Sequence, residues 1–373
     1  MNRERGKQTI VFKNKPIIIG HYSIVGPKEG KGNLREYFSE ISDDDFFGQK
    51  TYEKGERVMV ERALQGAVKN AGITFNDVRL FLAGDLLNQI ISSSYAARSV
   101  DIPYCGVFGA CSTMAETLAL GSCLVDGEHF DTVACATSSH FSTAERQFRY
   151  PLELGNQRPP TAQWTVTGAG ATILSRKGHG PRIVSATFGK VTDWGISDVN
   201  NMGAAMASAA MNTLLAHFKD RNSKPEDYDL ILSGDLGKLG SEILIDLMED
   251  HGYKLGLNYK DCGQIIFKRN QDVLMGGRGC GCSASVLNSI IINGGTLKIK
   301  FDSQDLNVDC YTTHSFALRR YSALKNGEVE VMPNIDYSDY MKIKNTKIKY
   351  KYSKYKNILD MFTEYCLWEY KRW

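Results

Sequence analysis

At 373 residues, with 42% hydrophobic and 23% charged residues, the chain has the composition of a globular protein that buries one large core or two fused ones, and it lies outside the disordered range. A formal net charge of only +3 argues against a polybasic nucleic-acid binder, and the excess lysine gathers in 341–356 (MKIKNTKIKYKYSKYK), which reads as a solvated end. No run approaches the roughly 20 apolar residues that span a bilayer.

The chain opens on charged residues with no apolar signal segment behind them, so a protein kept inside the cell is expected. The first strand-like run is Pro16 to Val25. A helical pattern follows at Gly55 to Ala71, then a strand at Val78 to Ala83 and helices at Asn88 to Arg98 and Ser112 to Leu124. Strands are predicted at Thr132 to Ser138, Thr165 to Ser175 and Arg182 to Phe188; Pro159 and Pro160 mark a long loop between the first two, with the character of a lid or dimer arm. The pattern continues with a helix at Met202 to Phe218, a strand at Tyr228 to Ser233, and helices at Leu239 to His251 and Ser283 to Ile292. Several strands are apolar on both faces, as in a covered sheet, and the alternation is that of an α/β fold. Nine cysteines, an odd number without any C-x-x-C pair, exclude both a disulfide framework and a structural zinc site.

The chain also repeats itself. DVRLFLAGDL, from Asp77 to Leu86, returns as DYDLILSGDL from Asp227 to Leu236, and the helical stretch before each copy, Gly55 to Gly72 and Gly203 to Asp220, nearly keeps that offset. Two similar αβ halves are therefore expected, 1–190 and 191–297, with a site at their junction drawing corresponding residues from both. The repeat fails near Lys298: where the first half offers two apolar strands, the second gives FDSQDLNVDC and a Lys/Tyr-rich end. Residues 298–373 are read as a divergent segment, with a natural tail and a shift of reading frame near Lys300 both open and the frame shift the better account of the abrupt change.

Chemistry is concentrated at two glycine-rich turns. In VFGACSTMAE, Cys111 stands at a sharp turn before a helix, where unpaired N–H groups and the helix dipole lower a thiol pKa. A nucleophile and a small buried filler of a tight turn are both open readings. The counterpart in the second half is MGGRGCGCSA, with Cys280 and Cys282; it lacks the ending of a phosphate-binding loop, and C-x-C is a weak redox signal.

The duplicated halves and the helix-leading cysteine resemble the thiolase superfamily, in particular ketoacyl synthase III-like condensing enzymes. Within it, AGDLLNQ (83–89), VFGACSTM (107–114), QFRYP (147–151), QRPPTAQW (157–164), LSGDLG (232–237) and GGRGCGC (276–282) are similar to the stage V sporulation protein AD family, over about residues 8 to 297. The resemblance implies an α/β, thiolase-like, duplicated αβαβα layered fold, aberrant at its C-terminal end. Condensing enzymes pair their cysteine with a histidine and an asparagine or second histidine; the matching positions here are Asp235 and the Gly279 to Cys282 turn, so both catalysts are expected to be missing and no residue is assigned a catalytic role.

What the family resemblance implies instead is non-catalytic binding of dipicolinic acid, assisting its uptake into the developing bacterial spore. A planar pyridine with two carboxylates suits helix N-termini, here at Ser112 and Ser283, with Arg278 open as a bidentate partner or as an exposed arginine. Asp85 faces two readings, a cap for the following helix or, with Asn88, a ligand to Ca²⁺ carried with dipicolinate. The residues expected at the ligand are Asp85, Asn88, Gln89, Cys111, Ser112, His140, Cys280 and Cys282; no resident metal or cofactor is expected. A homodimer and membrane proteins of the same transport system are the implied partners, at the inner spore membrane, with acyl-thioester transfer at Cys111 and a ligand-free scaffold as rivals.

Overall fold

The computed structural model describes residues 8–148, 152, 155, 157–198 and 200–291, and the backbone of 307–312. Its strands are β1 (Thr9–Val11), β2 (Ile17–Val25), β3 (Glu40–Ile41), β4 (Leu80–Asp85), β5 (Tyr104–Gly106), β6 (Thr132–Ser139), β7 (Trp164–Thr165), β8 (Gly168–Ser175), β9 (Arg182–Phe188), β10 (Ile231–Ser233), β11 (Tyr259–Asp261), β12 (Gly277–Arg278) and β13 (Asn307–Thr312). Its α-helices are α1 (Tyr52–Asn70), α2 (Ile91–Val100), α3 (Thr113–Asp126), α4 (Phe141–Phe148), α5 (Met202–Arg221), α6 (Gly237–Asp250), α7 (Cys262–Ile265) and α8 (Cys280–Val286).

The main sheet runs β1, β9, β2, β8, β6, β4, β5, with β3 beside β2 and β13 parallel to β9. β8 is antiparallel to β2 and β6, whereas β4 is parallel to β6 and β5. α1 and α2 cover one face of this sheet through Met59, Leu64, Phe81 and Ile173. α3 and the start of α8 cover the other, where Met114, Leu118 and Ala284 meet Leu82 and Leu174. β10 and β11 form a parallel pair beyond α8. The period-2 alternation of β10 divides its side chains: Ile231 joins α5 and α6, while Leu232 lies with Val286 and Cys282 of α8. Helix, sheet, helix, sheet, helix is the expected five-layer order, and β4–β5 in the first half corresponds to β10–β11 in the second.

Most predicted elements are found, with shifted ends. Arg182–Phe188 coincides, but the strand expected at 78–83 runs 80–85 because its ladder with β6 continues to Asp85↔Ser138. The helix expected from Asn88 is broken: Gln89 and Ile90 have φ of 60° and 46°, and α2 starts only at Ile91. The segment Thr165 to Ser175 is two strands, the first of which, β7, leaves the main sheet to pair with β12 of the second half. α4 stands between β6 and the Pro159–Pro160 loop, so that loop does not join two strands directly. The last helix begins three residues early, at Cys280, and continues as a π-turn over Leu287–Ile291. Of the divergent segment, only the backbone of β13 falls within the described residues.

Glycine sets the depth at which α8 sits. A Cβ on Gly170 would lie 2.4 Å from the Ala284 carbonyl oxygen, and one on Gly281 would lie 2.4 Å from the carbonyl oxygen of Gly168. Helix and strand backbones therefore touch without side chains between them. Gly170→Ala should cost about 1–3 kcal/mol of stability by overpacking this contact. Denaturant titration checks it, and an unchanged midpoint would show that α8 can retreat freely from β8.

Candidate functional site

Cys111 stands at the elbow its sequence announced. Ala110 has φ 48°, a left-handed conformation that is costly for a residue with a Cβ, and the chain turns there from the end of β5 into a short 3₁₀ turn and α3. Hydroxyls lock the turn: Ser112 Oγ donates to the Gly109 carbonyl at 2.8 Å, and Thr113 Oγ1 donates to that of Ala110 at 2.7 Å. Ser112 is thus spent on the turn itself rather than held out to a ligand. The Cys111 residue is partly exposed, but its thiol is enclosed by the protein.

From the other half, Asp235 and the glycine-rich turn converge on this thiol. Asp235 Oδ2 accepts the Gly279 N–H at 2.8 Å, and its carboxyl is hydrogen-bonded to Cys111. Gly279 has φ 94°, and Gln163 Nε2 fastens the turn by donating to the carbonyls of Asp235 and Gly277, each at 2.8 Å. Burial pushes the Asp235 carboxyl up to about 6, against the pull of Cys111 and the Gly279 N–H. Burial, and then the Asp235 charge, push the Cys111 thiol well above its ordinary value. The thiolate expected from the helix dipole is therefore not favoured: desolvation and a like charge outweigh the field of a helix terminus. A histidine in the same place would become a cation and stabilise the thiolate, whereas a carboxylate repels it.

The duplicated aspartates have diverged. Asp85 caps α2, with Oδ1 accepting from Leu87 N at 2.9 Å and Oδ2 from Ser93 N at 2.7 Å. Both oxygens are engaged and the side chain is buried, which removes it from the calcium role. Its copy Asp235 does not cap α6. That task falls to Asp261, whose carboxylate accepts from Leu236 N and Gly237 N, each at 2.9 Å, and from Ser233 Oγ at 2.7 Å. Asp235 is thereby free to meet Cys111.

A second buried acid lies at the end of β4 and β6. Glu56 accepts from Ser138 Oγ at 3.0 Å and Thr143 Oγ1 at 2.8 Å, and burial followed by the nearby Asp85 pushes its carboxyl up to about 8. Cys280 Sγ donates to the Ser138 carbonyl at 2.9 Å, so it belongs to this cluster. Cys282 points elsewhere, into the core with Val25, Val166 and Cys262. Two residues apart on one helix, these cysteines face different ways and form no redox pair.

The remaining candidates lie in different surroundings. Asn88 and Gln89 are exposed on the broken helix start. His140 is buried with both ring nitrogens used, Nε2 against the Asp45 carbonyl at 2.7 Å and Nδ1 accepting from Ser142 N at 3.1 Å; burial lowers its pKa, so it stays a neutral structural residue. Arg278 is not an exposed arginine, since it is buried with Nε donating to Thr165 Oγ1 at 3.1 Å. Ser283 Oγ turns back to the Cys280 carbonyl at 3.1 Å. Glu56 went unpredicted although its signal was present: it precedes Met59, Val60, Ala63 and Leu64 at helical spacing, a carboxylate on the apolar stripe of α1.

Raised carboxyls make stability pH-dependent. The folded state holds protons on Glu56 and Glu29 up to about pH 8, on Asp261 up to about 7 and on Asp235 up to about 6, above their unfolded values. The folded state binds more protons in that window, so stability is greatest near pH 4–5 on this account and falls as pH rises towards 8, by up to about 1.4 kcal/mol per pH unit for each group. Melting temperature should decline between about pH 5 and 8, and Glu56→Gln should flatten the decline. A melting temperature that rises across the same range would contradict these assignments.

The geometry can be set beside known proteins. The family model described as Stage V sporulation protein AD matches residues 6–300. Stage V sporulation protein AD of Bacillus subtilis (strain 168) is 47% identical over 286 residues, covering 77% of this chain and 85% of the relative. Among solved structures, OleA of Xanthomonas campestris co-crystallised with cerulenin is similar with a TM-score of 0.55 at 13% identity, covering 80% of this chain and 93% of that one. The same enzyme soaked with cerulenin gives 0.51 at 13% identity, covering 77% and 90%. At such identity the likeness is one of fold, and the fold is thiolase-like.

Proposed function

Because this chain belongs to the stage V sporulation protein AD family, we propose that it serves sporulation as a non-catalytic binder of dipicolinic acid, built on a condensing-enzyme fold whose acyl-transfer chemistry has been lost. The observation that carries this reading is the pairing of Cys111 with Asp235 and the Gly279 N–H, in which the thiol is held protonated. Condensation needs a thiolate and an oxyanion cradle; here an acid stands beside the thiol and its carboxylate already occupies the Gly279 N–H.

Binding a dianion beside Asp235 favours the protonated acid, which turns a repulsive carboxylate into a hydrogen-bond donor. Free dipicolinate should therefore bind more tightly at about pH 5 than at about pH 8, with uptake of a proton. At about 100 times its Kd it should stabilise the fold by roughly 2.7 kcal/mol, read as an upward shift of the melt. A cooperative melt unmoved by dipicolinate at either pH would remove this function. The enzymatic rival has its own signature, an acyl adduct on Cys111 after incubation with acyl-thioesters, absent in Cys111→Ala. The scaffold rival would be favoured by function surviving substitutions that fill the site.

The reading places the protein as a homodimer beside membrane proteins of the transport system, peripheral to the inner spore membrane. Among the described residues no helix is long and apolar enough to cross a membrane. The dimer is supported by the end of the main sheet, where β5 has an unpaired edge among the described residues and Ile91, Tyr95 and Phe108 are 40%, 50% and 49% exposed close by. Sedimentation should give a dimer that Phe108→Glu weakens; a wild-type monomer at micromolar concentration would count against it. The division into halves at 190 belongs to the same reading, as does the frame-shifted origin of 298–373, the latter supported by the end of the family match at residue 300. Resequencing that leaves no frame restoring an apolar strand pair would sink the frame shift.

A further inference from the structure

The segment QRPPTAQW (157–164) carries more than the loop that ties β7 to the second half. Trp164 opens β7, and one face of its indole stacks on Phe141, with centroids 3.6 Å apart and planes 4° from parallel. The opposite side holds two cations, Lys28 Nζ at 3.6 Å and the Arg158 guanidinium carbon at 4.8 Å from the ring centroid. Burial and the Arg158 charge both lower the Lys28 pKa, a sign that the two positive groups are held together against their repulsion.

Asp272 joins them, mainly through its backbone. Asp272 Oδ2 accepts Arg158 Nη2 at 2.7 Å, and its carbonyl accepts Arg158 Nη2 at 3.0 Å and Lys28 Nζ at 3.1 Å. Asp272, Glu29 and Asp45 are the carboxyls whose fields reach Lys28, and burial pushes the Glu29 carboxyl up to about 8, which weakens its share at neutral pH. Donors remain unused. Arg158 Nη1 is buried without an acceptor among the described residues, although the side chain as a whole is 16% exposed. Lys28 Nζ has three N–H groups and, among the described residues, one acceptor, the Asp272 carbonyl. A buried charged donor without an acceptor is costly, and an oxyanion seated between Nη1 and Nζ would satisfy both.

We propose that Lys28 Nζ and Arg158 Nη1 form an anion-binding site at the Trp164 face, taking the carboxylate or phosphate group of a small ligand, and distinct from the Cys111–Asp235 pair. Because the indole is covered on one side by Phe141 and on the other by the cations, the site recognises the anionic group and not an aromatic ring. The proposal does not depend on dipicolinate binding at Cys111.

Calorimetric titration of the full chain at low ionic strength, with inorganic phosphate and separately with dipicolinate, tests it. Arg158→Gln and Lys28→Gln, each checked for a cooperative melt, should weaken one of these anions about tenfold or more, the worth of one charge-assisted hydrogen bond. Dipicolinate binding that Asp235→Asn weakens and Arg158→Gln does not belongs to the other site. Weakening confined to phosphate identifies a phosphate site, and weakening of dipicolinate identifies a carboxylate site; either supports the proposal. Equal affinity in wild type and both variants, or no binding of either anion tighter than about 1 mM, overturns it.

Discussion

The rest of the molecule hangs on the contact between α8 and the main sheet. Gly168, Gly170 and Gly281 let the helix backbone lie directly on β8, and Ala284 completes the joint. A helix of the second half thereby becomes part of the core of the first, and the turn leading into it, Gly276 to Gly279, is carried to the elbow of α3. Had side chains stood between helix and strand, Asp235 and the Gly279 turn would lie farther from Cys111, and the two halves would share an interface without sharing a site.

Within that frame the chemistry turns on a single acid. The fold presents a cysteine at a strained elbow and brings two elements of the other half to it, the arrangement a condensing enzyme needs. The residue delivered by β10 is Asp235, and the nearest group of the glycine turn is a backbone N–H already bound to it. An elbow cysteine and a helix dipole favour a thiolate; burial beside a carboxyl of pKa about 6 disfavours it more strongly.

Buried carboxyls recur through the structure, and each has a distinct anchor. Glu56 rests on two hydroxyls, Asp85 on the backbone of α2, and Asp261 on the backbone of α6 with Ser233. Asp85 and Asp235 hold matching places in the two halves, but only Asp85 caps its helix; Asp261 of β11 holds the start of α6, and Asp235 meets the Gly279 N–H instead.

Much of this was legible in the one-dimensional chain. The alternation of strand and helix, the repeat around Gly-Asp-Leu and the elbow at Cys111 follow from local pattern, because periodicity and turn chemistry are set by neighbours a few residues away. The roles of individual polar side chains were not. Asn88 and Gln89 read as candidates but lie on the exposed broken start of α2; His140 is consumed by Asp45 and Ser142; Cys280 and Cys282, two residues apart, go to different layers. The sequence by itself determined that two αβ halves meet at a cysteine-led helix. Only the tertiary structure decided which carboxyl reaches that cysteine and in which protonation state, because hydrogen-bond partners and desolvation come from segments far away along the chain, as Cys111, Asp235 and Gly279 show.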